Sequence, residues 1–147
     1  MKESRKTLIT LFVCLAYLAD CIRRVPAMES PSFVLGFYIY GRIAYIGNAL
    51  VFLLECYAIL GLWRLRKIGW NAALAISLVS ALNSMLEVSL PQGRAMIMQL
   101  GQEAGAMAFD AVHQATFKAT IFSAAHGVLI FLLLVVRRYY RQDAAQS

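Results

Sequence analysis

The sequence predicts an all-α fold: an integral membrane four-helix bundle with an additional amphipathic helix on the outer side. Three observations predict it. Of 147 residues, 61% are hydrophobic and 15% charged, against about a half and a quarter in average globular chains. The apolar residues fall into long runs almost free of charge. The remaining basic residues collect at the ends of those runs, where they set orientation in a membrane. The length suits a single domain, residues 1–147.

The first element follows the basic stretch MKESRK and is expected as a span over about 7–22. It is slightly short for the roughly 20 residues a crossing needs, but Arg23 and Arg24 can snorkel at its end. Its close, Leu18-Ala19-Asp20-Cys21, nearly matches a lipoprotein export signal. Such a signal needs a small residue before the cysteine, and Asp20 stands there. Cleavage after Ala19 would place Tyr17 where a small residue is required. An uncleaved span is therefore expected.

The second element is expected to begin at Ser30-Pro31, a capping residue followed by a proline suited to the first helical turn. A single helix from there to Trp63 would measure about 48 Å, against a hydrocarbon core of about 30 Å. The span proper is placed at about 43–62. The aromatic cluster FVLGFYIYGRIAY reads as an interface belt, with Gly36 and Gly41 as bend points. The stretch LWRLRKIGW then makes a tight basic turn between two tryptophans. It leads into a third span, about 70–90, which stops at Pro91-Gln92-Gly93. The fourth span covers about 119–136 and ends in RRYYRQ.

Between the last two spans, about 94–117 is expected to form the outer amphipathic helix, or a water-side extension of the fourth span. Gln99, Glu103, Asp110 and Gln114 fall near one face. Ala104, Ala108, Ala111, Ala115 and Ala119 form a small-residue stripe on another.

With both termini in the cytoplasm, nine of the fourteen Lys and Arg residues lie on that side: Lys2, Arg5, Lys6, Arg64, Arg66, Lys67, Arg137, Arg138 and Arg141. Five lie outside: Arg23, Arg24, Arg42, Arg94 and Lys118. The net charge of +6 thus reports orientation, and no separate basic face is left for nucleic acid.

The stretch LLECYAILGLWRLRKIGWNAALAISLVSALN resembles a hairpin found in small, uncharacterised bacterial multi-pass inner-membrane proteins of four helices. The resemblance covers Leu53 to Asn83. It implies a bacterial inner membrane and carries over no catalytic residue.

Polar groups within spans are the candidates for function, because hydrocarbon penalises them unless they are paired. They are Glu55, Asn48, Asn83, His126, Glu87, Arg42 and Asp20. By helix rise, Asn48, Asn83 and His126 lie about 10 Å below the outer interface, with Asp20, Arg42 and Glu87 at the rim above them. Glu55 lies about 10 Å from the inner side, either neutral or paired. An outward-facing polar cleft with Glu55 beneath it is the resulting expectation. Set against it is ordinary packing, since Asn, Ser, Thr and Gly on inner faces are the common glue of helix bundles.

Catalytic signatures are absent: no HExxH, phosphate-binding loop, GxSxG or dinucleotide fingerprint occurs. Cys14, Cys21 and Cys56 form no CxxC pair. Asp110, His113 and Glu103 make a metal set that reads better as a solvated helix face. No cofactor or metal is expected, and the protein is not expected to be an enzyme. The partners implied are the lipid bilayer and either another membrane protein or further copies of the chain. The expected role is that of a non-enzymatic accessory or self-associating membrane protein. The alternative is a small homo-oligomeric transporter or channel using Glu55 and the polar cleft. An intramembrane enzyme with His126 and Glu87 as a proton-transfer pair ranks third.

Overall fold

The computed structural model describes residues 2–103, 105 and 107–137, with the backbone alone for 2–6 and 108. Ala104, Arg138 and Arg141, used above for the small stripe and the charge count, lie outside the described residues. So do the side chains of Lys2, Arg5, Lys6 and Ala108. The described chain is mostly helical: α1 (Lys2–Arg24), a short 3-10 turn (Val25–Ala27), β1 (Ser32–Val34), β2 (Phe37–Ile39), α2 (Gly41–Trp63), α3 (Lys67–Ser89), α4 (Pro91–Glu103) and α5 (Ala108–Val136).

Three helices are long and apolar enough to cross a membrane: Gly41–Trp63, Lys67–Ser89 and Phe109–Val136. Their outer faces carry a broad apolar surface, including Leu50, Leu53, Leu60, Leu78, Leu82, Val128 and Phe131. A water-soluble monomer rarely shows so large a contiguous patch. The first helix shares this surface through Leu8, Phe12, Leu15 and Ile22. Its opposite face, Thr10, Val13, Cys14, Tyr17 and Cys21, repeats at helical spacing and is buried.

At one end of the bundle, α2 and α3 are joined by the basic turn. Arg66 N–H donates to the Gly61 carbonyl at 2.8 Å and Leu65 N–H to the Leu62 carbonyl at 3.0 Å. This is the Schellman pattern, with Leu65 rather than glycine in the left-handed position (φ 55°). Beyond it the two backbones meet at Gly61 and Gly69, where a Cβ on either residue would collide with the other's main chain. Trp70 closes this end. Its indole N–H donates to the Leu133 carbonyl at 2.7 Å, near the end of α5 where helix carbonyls lack intrahelical partners.

Three expectations are corrected. The helix predicted from Ser30-Pro31 does not form. Residues 32–39 instead make an antiparallel hairpin, Ser32 opposite Ile39 and Val34 opposite Phe37. Leu35 and Gly36 form its two-residue loop with φ of 45° and 113°. Loops of this primed kind match the strand twist, and the second position suits glycine. Aromatic and β-branched side chains favour strands, so the supposed interface belt is a small sheet within an otherwise helical fold.

The second correction concerns 94–117. It is not one amphipathic helix: α4 ends at Glu103, and the chain reverses through Gly105 (φ 77°) and an extended Met107 into α5. The reversal lays Gly101 against Ala111, so α4 packs back along the start of α5.

The third correction is the height of α1. Cys14 Sγ donates to the Ile59 carbonyl, and the Tyr17 hydroxyl meets the Ala73 carbonyl and Ser77. From Tyr17, α1 has about 10 Å left to Arg24, whereas α3 has about 18 Å left from Ser77 to Ser89. The first helix therefore stops well short of the hairpin end. Asp20 lies inside the bundle, not at the rim.

Candidate functional site

Where α1 stops, its last turn meets Glu55 of α2. Glu55 is fully buried. Arg24 grips it with both arms of the guanidinium, Nη2 to Oε1 at 2.8 Å and Nε to Oε2 at 3.4 Å. The same Nη2 donates to Asp20 Oδ2 at 3.1 Å, and Arg23 donates to Asp20 Oδ1 through Nε and Nη2 at 3.1 and 2.8 Å. Cys21 Sγ donates to Glu55 Oε2 at 3.4 Å. A line of alternating charge thus runs Arg23, Asp20, Arg24, Glu55. Helical spacing sets Asp20 one turn before both arginines, and cations in a last turn suit the helix dipole. Pairing resolves the desolvation problem at Glu55, because a buried carboxylate without a partner is strongly disfavoured.

One turn below, the buried Tyr17 hydroxyl lies 2.5 Å from the Ala73 carbonyl and 2.6 Å from Ser77 Oγ. It donates to the carbonyl and accepts from the serine, which ties α1 to α3. Arg24 and Tyr17 were not among the candidate residues. A short Asp-x-x-Arg-Arg spacing hints at the first, and nothing local marks the second.

The other predicted residues divide among separate tasks. Asn48 Nδ2 donates to the Met28 carbonyl at 3.1 Å and to the Ala27 carbonyl at 3.5 Å, and its Oδ1 accepts from Ser32 at 3.0 Å. Asn83 bridges the hairpin backbone, donating to the Phe33 carbonyl and accepting from Leu35 N–H, each at 2.7 Å. Glu87 accepts from the Tyr38 hydroxyl at 2.6 Å. These three side chains hold the 25–40 connector and its hairpin onto α2 and α3. Tyr38 ionises well above the usual tyrosine range, chiefly because burial disfavours the phenolate and then because Glu87 stands beside it.

His126 is buried and turns its Nδ1 to the Phe122 carbonyl of its own helix at 3.0 Å, with its ring against Phe122. The structure does not bring His126 to Glu87. Arg42 is exposed at the start of α2, and it joins neither Asp20 nor Glu87.

The structure does contain a cleft, on a different side from the one predicted. It has a volume of about 420 Å³ and is lined by Arg23, Ser84, Glu87, Val88, Ile97, Ala115, Lys118, Ala119 and Phe122. Of the seven candidates only Glu87 reaches it. The connector covers the α2 and α3 side above the end of α1, and the space beside α5 is left open. Arg23 lies over the Phe122 ring, 5.1 Å from its centroid. Among the described residues, no cluster of His, Cys, Asp and Glu is arranged to hold a metal ion.

No known protein family matches this chain, and no similar curated protein or solved structure was found.

Proposed function

We propose that the chain is an integral membrane protein of four spans, with α1 crossing beside the three more apolar helices and both termini in the cytoplasm of a bacterial inner membrane. Its role is non-enzymatic: it packs against a partner membrane protein, or against a second copy, as an accessory subunit. The orientation is supported by the nine-to-five distribution of Lys and Arg. One observation carries the role. Among the described residues, every buried side-chain nitrogen and oxygen already has a hydrogen-bond partner within the molecule. The interior polar groups are spent on fastening α1, the connector and the hairpin.

The second reading is a homo-oligomeric transporter using Glu55. It is favoured by the line of charge at Arg24 and Glu55, since ionisable groups at such depth often mark a conduction path.

The test is the mass and composition of the complex extracted gently from its native membrane. The accessory reading expects a reproducible assembly with a distinct protein or a second copy. A single chain surrounded by lipid alone would contradict it. A closed ring of several copies, with no other protein, would favour the transporter.

A further inference from the structure

We propose that the cleft between α3, α4 and α5 holds one phosphatidylethanolamine molecule, with its phosphate between Lys118 and Arg23, its ammonium at Glu87 and an acyl chain along Phe122 and Val88. The inference rests on the membrane placement proposed above. It goes beyond it by assigning a ligand and a site.

The cleft is a consequence of the fold. Because α1 ends early and the connector leans toward Asn48 and Asn83, one side of the bundle lacks a covering element. The opening of about 420 Å³ lies in the size range of small-ligand sites and suits a headgroup with the first part of a chain. Its walls are apolar at Phe122, Val88 and Ile97, and its charges are few and of both signs.

The charged groups have capacity to spare. Lys118 has no hydrogen-bond or ion-pair partner among the described residues. Arg23 spends Nε and Nη2 on Asp20, which leaves Nη1 uncommitted. Glu87 spends Oε1 on Tyr38, which leaves Oε2 uncommitted. Two cations beside an apolar wall suit a phosphate at the end of a hydrocarbon chain. The carboxylate decides the class. A primary ammonium can donate to Glu87, whereas a choline headgroup has no N–H to give. A glycerol headgroup brings no positive charge and leaves the lipid's net negative charge facing the carboxylate.

The experiment uses the purified full chain, after fractionation has shown whether it resides in the membrane. Synthetic phosphatidylethanolamine, phosphatidylglycerol and phosphatidylcholine with identical chains are added in detergent. Retained lipid is read by native mass spectrometry. One retained phosphatidylethanolamine per chain is expected, ahead of the other two lipids. Lys118→Gln should weaken its retention about tenfold, the size expected for one charge-assisted contact. Glu87→Gln preserves an acceptor for Tyr38 and should erase the preference over phosphatidylglycerol. Circular dichroism confirms that both variants remain helical.

Equal retention of all three lipids, or indifference to both substitutions, would overturn the site while leaving the membrane placement intact. A chain found in the soluble fraction would overturn both.

Discussion

At the scale of single residues, the interior is a set of paired polar groups, and each pair has its own consequence. Tyr17→Phe removes the donor to the Ala73 carbonyl and the acceptor for Ser77. It should lower stability by about 1–2 kcal/mol, measured by denaturant titration in detergent. Tyr38 gives a dependence on pH with a definite sign. Its phenol is held protonated in the folded chain, while an unfolded tyrosine ionises near about pH 10. Its contribution is therefore complete below that pH and is lost as pH rises through the folded value. Stability should fall with increasing pH above about 10, and Tyr38→Phe should remove that part of the slope. Thermal unfolding followed between neutral and alkaline pH reads both outcomes. The tasks of Asn48, Asn83 and Glu87 were half legible. Their inward placement follows from helical spacing, but their partners are connector backbone and a tyrosine that the sequence had assigned to a helix.

At the scale of elements, α2, α3 and α5 were legible because each holds a long apolar run with few charges, ended by charge or by proline. The hairpin was not. FVLGFYIY is apolar throughout, so no alternation of polar and apolar residues marks its period of two. What selects the strands is the turn and the anchor. Leu35-Gly36 takes the left-handed geometry, and Asn83 satisfies the backbone at Phe33 and Leu35. Leu35 is a poor choice for its position, since left-handed geometry strains a residue carrying a Cβ. Asn tolerates it and Val does not. Leu35→Asn should leave the hairpin intact or stabilise it by about 1 kcal/mol, and Leu35→Val should destabilise it by a similar amount. Hydrogen exchange at residues 32–39 distinguishes them, with slower exchange expected for Asn than for Val. The division of 94–117 into two helices was also hidden, because amphipathic spacing continues on both sides of the reversal.

At the scale of the whole molecule, three helices able to cross a membrane were legible from the composition and its apolar runs, while the relative height of α1 was not. Height depends on where Tyr17 finds Ala73 and Ser77, a pairing between residues far apart in sequence. That offset determines two things at once. It brings Arg24 down to Glu55, and it leaves the cleft beside α5 uncovered. In this account the line of charge is a fastening between α1 and α2, not a path. A fastening can be replaced by apolar contact, since a buried ion pair contributes little beyond what well-packed apolar side chains of similar size would. A path cannot.

The most direct measurement is a double-mutant cycle at Arg24 and Glu55, with stability and assembly both read on protein extracted from its native membrane. Arg24→Leu or Glu55→Leu alone leaves one charge without its main partner and should cost about 3–5 kcal/mol. The double variant should recover most of that loss and assemble as the parent does. A double variant that folds well but no longer assembles as the parent does would contradict the account. So would one no more stable than either single variant.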